Sequence, residues 1–132
     1  MLRNVFRVVF VLWAGSLWSL AAWVAPTLFR AQADRHLAGV LAARLFSIET
    51  YVGLGVAVFA LLSLSRTKFV WGYSAVVLLS INEWVLKRIM AQALAHGAAA
   101  NLSFGAWHGV SAVLYVLACL AVLRLVWNED FR

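Results

Sequence analysis

Apolar residues run in four long blocks along the 132-residue chain, and the polar positions gather at their edges. The blocks cover residues 5–25, 45–64, 69–87 and 104–126, each broken by only a few polar side chains. A membrane-crossing helix needs about 20 such residues at about 1.5 Å of rise each, so every block predicts one span. Pro26 closes the first by removing a backbone donor. Ser65, Arg66, Thr67 and Lys68 make a tight turn between the second and third, and Lys87 with Arg88 stops the third. An alanine-rich, weakly polar stretch at 90–103 leads into the fourth, and the tail 127–132 is aqueous in character.

One connection, residues 27–44, is long enough to carry structure of its own. Asp34 is placed to cap a helix in which Leu37, Val40, Leu41 and Leu45 recur at helical spacing. The pattern predicts a short amphipathic segment lying at the interface before the chain turns into the second span. A single helix from Arg35 to Leu64 would be about 45 Å long and overshoot a hydrocarbon core of about 30 Å. The expected fold is therefore all-α: an integral membrane four-helix bundle forming one domain over 1–132, with that interfacial segment between the first two helices.

Composition strengthens this picture. Hydrophobic residues make up 65% of the chain and charged residues 12%, against about a quarter charged in soluble domains. The net charge of +6 calls for no nucleic acid, because basic residues flanking spans meet anionic lipid headgroups. The bilayer is the partner the sequence demands. Arg3 and Arg7 before the first block imitate a signal peptide, but the apolar core is too long and no small-x-small site precedes Pro26, so a retained span is expected. Let side A be the face with both termini and side B the opposite face. Arg3, Arg7, Arg66, Lys68, Arg124 and Arg132 then lie on side A, and Arg30, Arg35, Arg44, Lys87 and Arg88 on side B. The basic amino terminus tips the balance toward a cytoplasmic side A, with a bacterial inner membrane as the expected setting. The lone Cys119 excludes an intrachain disulfide and any CxxC site.

Polar residues inside the blocks carry the candidate chemistry, since an ionisable group at membrane depth is costly. If the second helix begins near residue 45, Glu49 lies about one turn inside side B, and His108, Asn82 and Glu83 fall at a similar depth. His108, Ser111 and Tyr115 share one face of the fourth helix. Together with Glu49 and Asn82 they form the candidate ligand or proton-relay set, lining a shallow vestibule open to side B in which His108 meets Glu49. Small residues mark the expected packing faces: Gly15, Ser19 and Ala22 on helix one, Gly53 and Ala57 on helix two, and the GxxxG pair Gly105 and Gly109 on helix four. That places Glu49 pointing inward. Plainer readings stand beside these. His108 can be a hydrogen-bonded packing residue, Asn82 interhelical glue, and Glu83 an i,i+4 ion pair with Lys87. The tryptophans read mostly as interface anchors. His36, His96 and His108 share side B, yet no two have helical ligand spacing, so no metal is assigned.

The stretches "AGSLWSLAAWVAPTLF" (14–29), "LAARLFSIETYVGLG" (41–55) and "FGAWHGVSAVLY" (104–115) together resemble the transmembrane protein 205-like family. These are small four-helix membrane proteins without an established activity. The resemblance implies a four-helix bundle and draws attention to Glu49 and His108; helix three departs from it, lacking the proline that relatives tend to carry near its end. Three classes of function remain. The leading one is transport, permeation, or ion and proton handling at Glu49 and His108, in a chain not expected to be an enzyme. A second is haem, porphyrin or quinone binding, suggested by a loose architectural likeness to copper-resistance D proteins and membrane-bound protoporphyrinogen oxidase. No cofactor is required by the sequence, and with only His108 embedded a single-ligand haem is the form left open. The third is a structural or assembly role, as a homo-oligomer or with another membrane protein.

Overall fold

A computed structural model describes residues 1–63 and 69–127, with the side chain of Arg3 left aside. The turn expected at 65–68, and all of the tail beyond Trp127, lie outside the described residues. Helices α1 (Leu2–Ser19), α2 (Ala25–Ala31), α3 (Arg35–Ser63), α4 (Val70–Ile81), α5 (Lys87–His96) and α6 (Phe104–Trp127) follow in order. A π-helical turn at Leu20–Val24 joins α1 to α2, and a second at Asn82–Leu86 joins α4 to α5. The helices thus form four rods. Three, over Asn4–Ala31, Arg35–Ser63 and Phe104–Trp127, are long and apolar enough to cross a membrane. The rod from α4 to α5 is diluted by Asn82, Glu83, Lys87 and Arg88.

Three expected boundaries move, each for a local reason. Pro26 does not end the first rod. Its ring would press on the carbonyl of Ala22 one turn back and it offers no N–H, but the helix widens before it. Over Leu20–Val24 the bonding shifts to i→i+5, with the Ala25 N–H reaching the Leu20 carbonyl, and proline enters in the first turn of α2, where no donor is missed. The separate interfacial segment at 35–44 is likewise absent. Asp34 caps as expected, its Oδ1 accepting from the N–H of His36 at 2.9 Å and of Leu37 at 3.3 Å, but α3 then runs unbroken to Ser63. Between Arg35 and Leu45 only Gly39 weakens the helix, and one glycine costs about 1 kcal/mol, too little to break it. Finally, Lys87 and Arg88 do not stop the third rod, because both are good helix formers. It ends at Gly97, whose φ of 82° supplies the left-handed cap.

Successive rods pack side by side in a closed circuit: α1 on α3, α3 on α4, α4 on α6, and α6 back on α1. The main core fills only the side A half. Phe6, Phe10, Trp13 and Leu17 of α1 meet Val56, Ala57 and Ala60 of α3, Phe69 and Leu79, and Ala118, Val122 and Leu125 of α6. Rings dominate this end: Phe69 stands edge-on to Phe6 and Phe10 at 5.4 and 5.6 Å between centroids. Below it the bundle is looser, and Tyr115 is the first buried residue of α6, everything from Phe104 to Leu114 being exposed or partly so.

The expected packing faces divide. Gly53 and Ala57 are buried, and a Cβ on Gly53 would come within 2.7 Å of the Trp13 ring, so this glycine seats the indole. Gly15, Gly109 and Gly105 face open space, the last meeting only Ser103 Oγ at 3.9 Å, and Ala22 is exposed while Ser19 is half-buried. The contact face of α1 is instead built from large side chains at Phe6, Phe10, Trp13 and Leu17, at helical spacing. Dispersion explains the preference, since a ring seated in a glycine notch makes far more contacts than two small residues meeting.

Candidate functional site

Where the aromatic core stops, polar side chains begin, and they lie near the middle of every rod. Glu49 is the central residue of α3, and Ser16, Asn82, Glu83 and Tyr115 are near the centres of theirs. The four seams between rods each carry a polar contact at this level. Ser16 Oγ lies 3.0 Å from Glu49 Oε2 across the α1–α3 seam, and the Trp13 indole donates to the Glu49 backbone carbonyl at 3.4 Å. On the opposite face of α3, Ser47 Oγ lies 2.9 and 3.0 Å from the two carboxylate oxygens of Glu83. Asn82 and Ser111 are locked reciprocally: the hydroxyl donates to Asn82 Oδ1 at 2.6 Å, and Asn82 Nδ2 donates to the Ser111 carbonyl at 3.2 Å. Tyr115 closes the circuit by donating to the Leu17 carbonyl at 2.8 Å in a buried bond.

This polar belt lies deeper within the helices than one turn from their ends. The shift follows from the boundaries, because α3 begins at Arg35 rather than near residue 45 and the third rod ends at His96 rather than Lys87. About 20 Å of helix separates Glu49 from either end of α3.

The two carboxylates in the belt have opposite surroundings. Glu83 is paired with Lys87 at 2.7 Å, and Lys87 Nζ also donates to Ser47 Oγ at 2.5 Å. The intrahelical ion pair read from the sequence is thus present and extended by a serine on α3. Glu49 has no cation: among the described residues its carboxylate is hydrogen-bonded to Ser16 and forms no ion pair. Nor is it enclosed in the bundle interior as its small neighbours implied. It is half-buried in the α1–α3 seam, and Ser16 beside it is exposed. The inward position at this level is taken by Trp13, expected as an interface anchor but only 2% exposed.

His108 stands apart. It is exposed, stacked on Phe104 with ring centroids 6.0 Å apart, and makes no ion pair with Glu49. Tyr115 is about 10 Å further along α6, so the expected His108–Glu49 vestibule does not form. Of the histidine, serine and tyrosine line on α6, Ser111 and Tyr115 join the belt and His108 does not. Among the described residues no three His, Cys, Asp or Glu side chains converge as a metal site would need. Ser16 and Ser47 escaped the sequence reading. Their only signal was position, Ser47 lying two residues before Glu49 and so on the other face of α3.

No curated protein and no solved structure matches the chain. The narrower likeness to the transmembrane protein 205-like family therefore rests on the quoted motifs alone. A family model does match residues 8–129, nearly the whole chain. The chain accordingly belongs to the family described as "Domain of unknown function (DUF4149)".

Proposed function

We propose that this is a four-span membrane protein that handles a proton or small cation at Glu49. The observation behind this reading is a carboxyl group at mid-helix that has one hydroxyl neighbour and no counter-ion. Burying an ionisable group away from water costs several kcal/mol unless it is paired or neutralised, so such groups mark ion and proton sites by default. The contrast with Glu83 sharpens the point, since the same belt holds a carboxylate whose charge is already balanced by Lys87. The third rod, though less apolar, completes the circuit of four and is read as the fourth span. Both termini then share side A, and the basic amino terminus favours the cytoplasm for that side, with a bacterial inner membrane as the proposed setting.

Exchange at Glu49 takes place along the α1–α3 seam rather than down the bundle axis. Toward side A the axis is plugged by Phe6, Phe10, Trp13 and Phe69, while the side B half lacks such a core. Purified protein in liposomes carrying an internal pH dye under an imposed proton gradient, or a sodium-sensitive dye under a sodium gradient, tests the reading. Wild type should dissipate one gradient and Glu49→Gln should not, while His108→Ala retains the wild-type rate. Equal rates for wild type, Glu49→Gln and empty liposomes with both ions would remove the proposal.

A further inference from the structure

Building on that reading, we infer that the occupant of Glu49 is a proton, held as a neutral carboxylic acid that donates to Ser16 Oγ. The hydrogen bonding accommodates that proton. A serine hydroxyl has one proton, and Ser16 Oγ lies within bonding distance of two acceptors, the Trp13 carbonyl at 2.8 Å and Glu49 Oε2 at 3.0 Å. With the serine proton on the nearer Trp13 carbonyl, Oγ keeps a lone pair free to accept the carboxyl's own proton.

The surroundings favour the same species. Glu49 is only half covered by its own chain, beside an exposed Ser16, at the middle of two rods apolar enough to span a membrane. An uncompensated carboxylate facing hydrocarbon is far costlier than a carboxylic acid with its proton in a hydrogen bond. Tyr115 and Cys119 of α6 are within electrostatic reach, and neither supplies positive charge. From the third rod, the cation Lys87 approaches the other face of α3, where it is engaged by Glu83 and Ser47. A metal ion is poorly served in turn. Calcium takes about six to eight oxygen ligands and magnesium about six in an octahedron. The seam offers one carboxyl group, one hydroxyl and the Trp13 carbonyl that the hydroxyl already engages, and the Trp13 indole is a donor.

Infrared spectroscopy of the full chain in lipid reads the protonation state directly, because a carboxylic acid shows a C=O stretch that a carboxylate lacks. The chain has five acidic side chains, and among the described residues Glu49 and Glu83 belong to the belt. At neutral pH the wild-type spectrum should contain one protonated-carboxyl band, lost in Glu49→Gln and kept in Glu83→Gln. Should Glu49→Gln fail to fold, Glu49→Asp serves in its place and should shift the band rather than remove it. Ser16→Ala should move the band to higher frequency by removing its hydrogen-bond partner. Sodium or calcium in excess should leave it unchanged. The inference is overturned by a wild-type spectrum with no such band, by a band that disappears with Glu83 rather than Glu49, or by a band erased by either cation. The last outcome, with gradient dissipation still dependent on Glu49, would keep ion handling and replace the proton by a metal cation. An intact band in a protein that dissipates no gradient would do the reverse, leaving the proton in place and removing transport.

Discussion

The two halves of the bundle are built on different terms. From the belt to side A, rings from α1 and Phe69 interlock with small residues on α3 and α6, and Gly53 is notched to the indole of Trp13. From the belt to side B, α6 has no buried residue before Tyr115, and Gly105, His108 and Gly109 lie exposed. The first half holds the fold; the second leaves the belt open from one end. In water or lipid, shape-matched apolar packing supplies most of the stability, so the polar groups have been placed where that packing ends.

Substitutions along the axis should therefore lose effect from side A to side B. The largest cost belongs to Trp13→Ala, which empties a buried indole site: about 3 kcal/mol, measured by reversible unfolding in detergent. A loss below about 1 kcal/mol would mean that the aromatic half is not the stabilising one. In the belt, Lys87→Met should cost about 2 kcal/mol, less than the 3–5 typical of a broken buried pair, because Lys87 keeps 35% of its side chain exposed. Adding Glu83→Gln to it should recover most of that loss, which separates charge from packing. Tyr115→Phe should cost about 1 kcal/mol by leaving the Leu17 carbonyl without the hydroxyl. The smallest effect is expected in the open half, where Gly109→Ala meets no atom within 4 Å. It should be neutral or stabilising by up to about 1 kcal/mol, since alanine is the better helix former. A clear destabilisation there would show that this face is packed after all, and would break the comparison.

Much of the architecture was legible from one dimension. Four apolar blocks, the capping role of Asp34 and the Glu83–Lys87 pair depend on local spacing, and local spacing is what a sequence displays. The candidate site was legible only in part. Asn82, Ser111 and Tyr115 do make interhelical bonds, but with one another and with the Leu17 carbonyl rather than with His108. The expected meeting of His108 with Glu49 failed because of the length of the helices. Taking α3 to begin ten residues late placed Glu49 and His108 at one level, and a helix that passes through Pro26 by widening into a π turn could not be told from one that ends there.

By itself the sequence determined that the chain is helical and apolar enough for a membrane, and which few residues are polar inside the apolar blocks. Hydropathy and period are additive along the chain, so no partner need be known to read them. Only the tertiary structure decided what each carboxylate meets across a seam. Spacing alone pairs Glu83 with Lys87 and leaves Glu49 without a cation on its own helix face. The interhelical partners are what the fold adds. Lys87 lies one turn from Glu83 on the same face, with Ser47 waiting across the seam, whereas Arg44 points away from Glu49 and α1 offers it one serine hydroxyl.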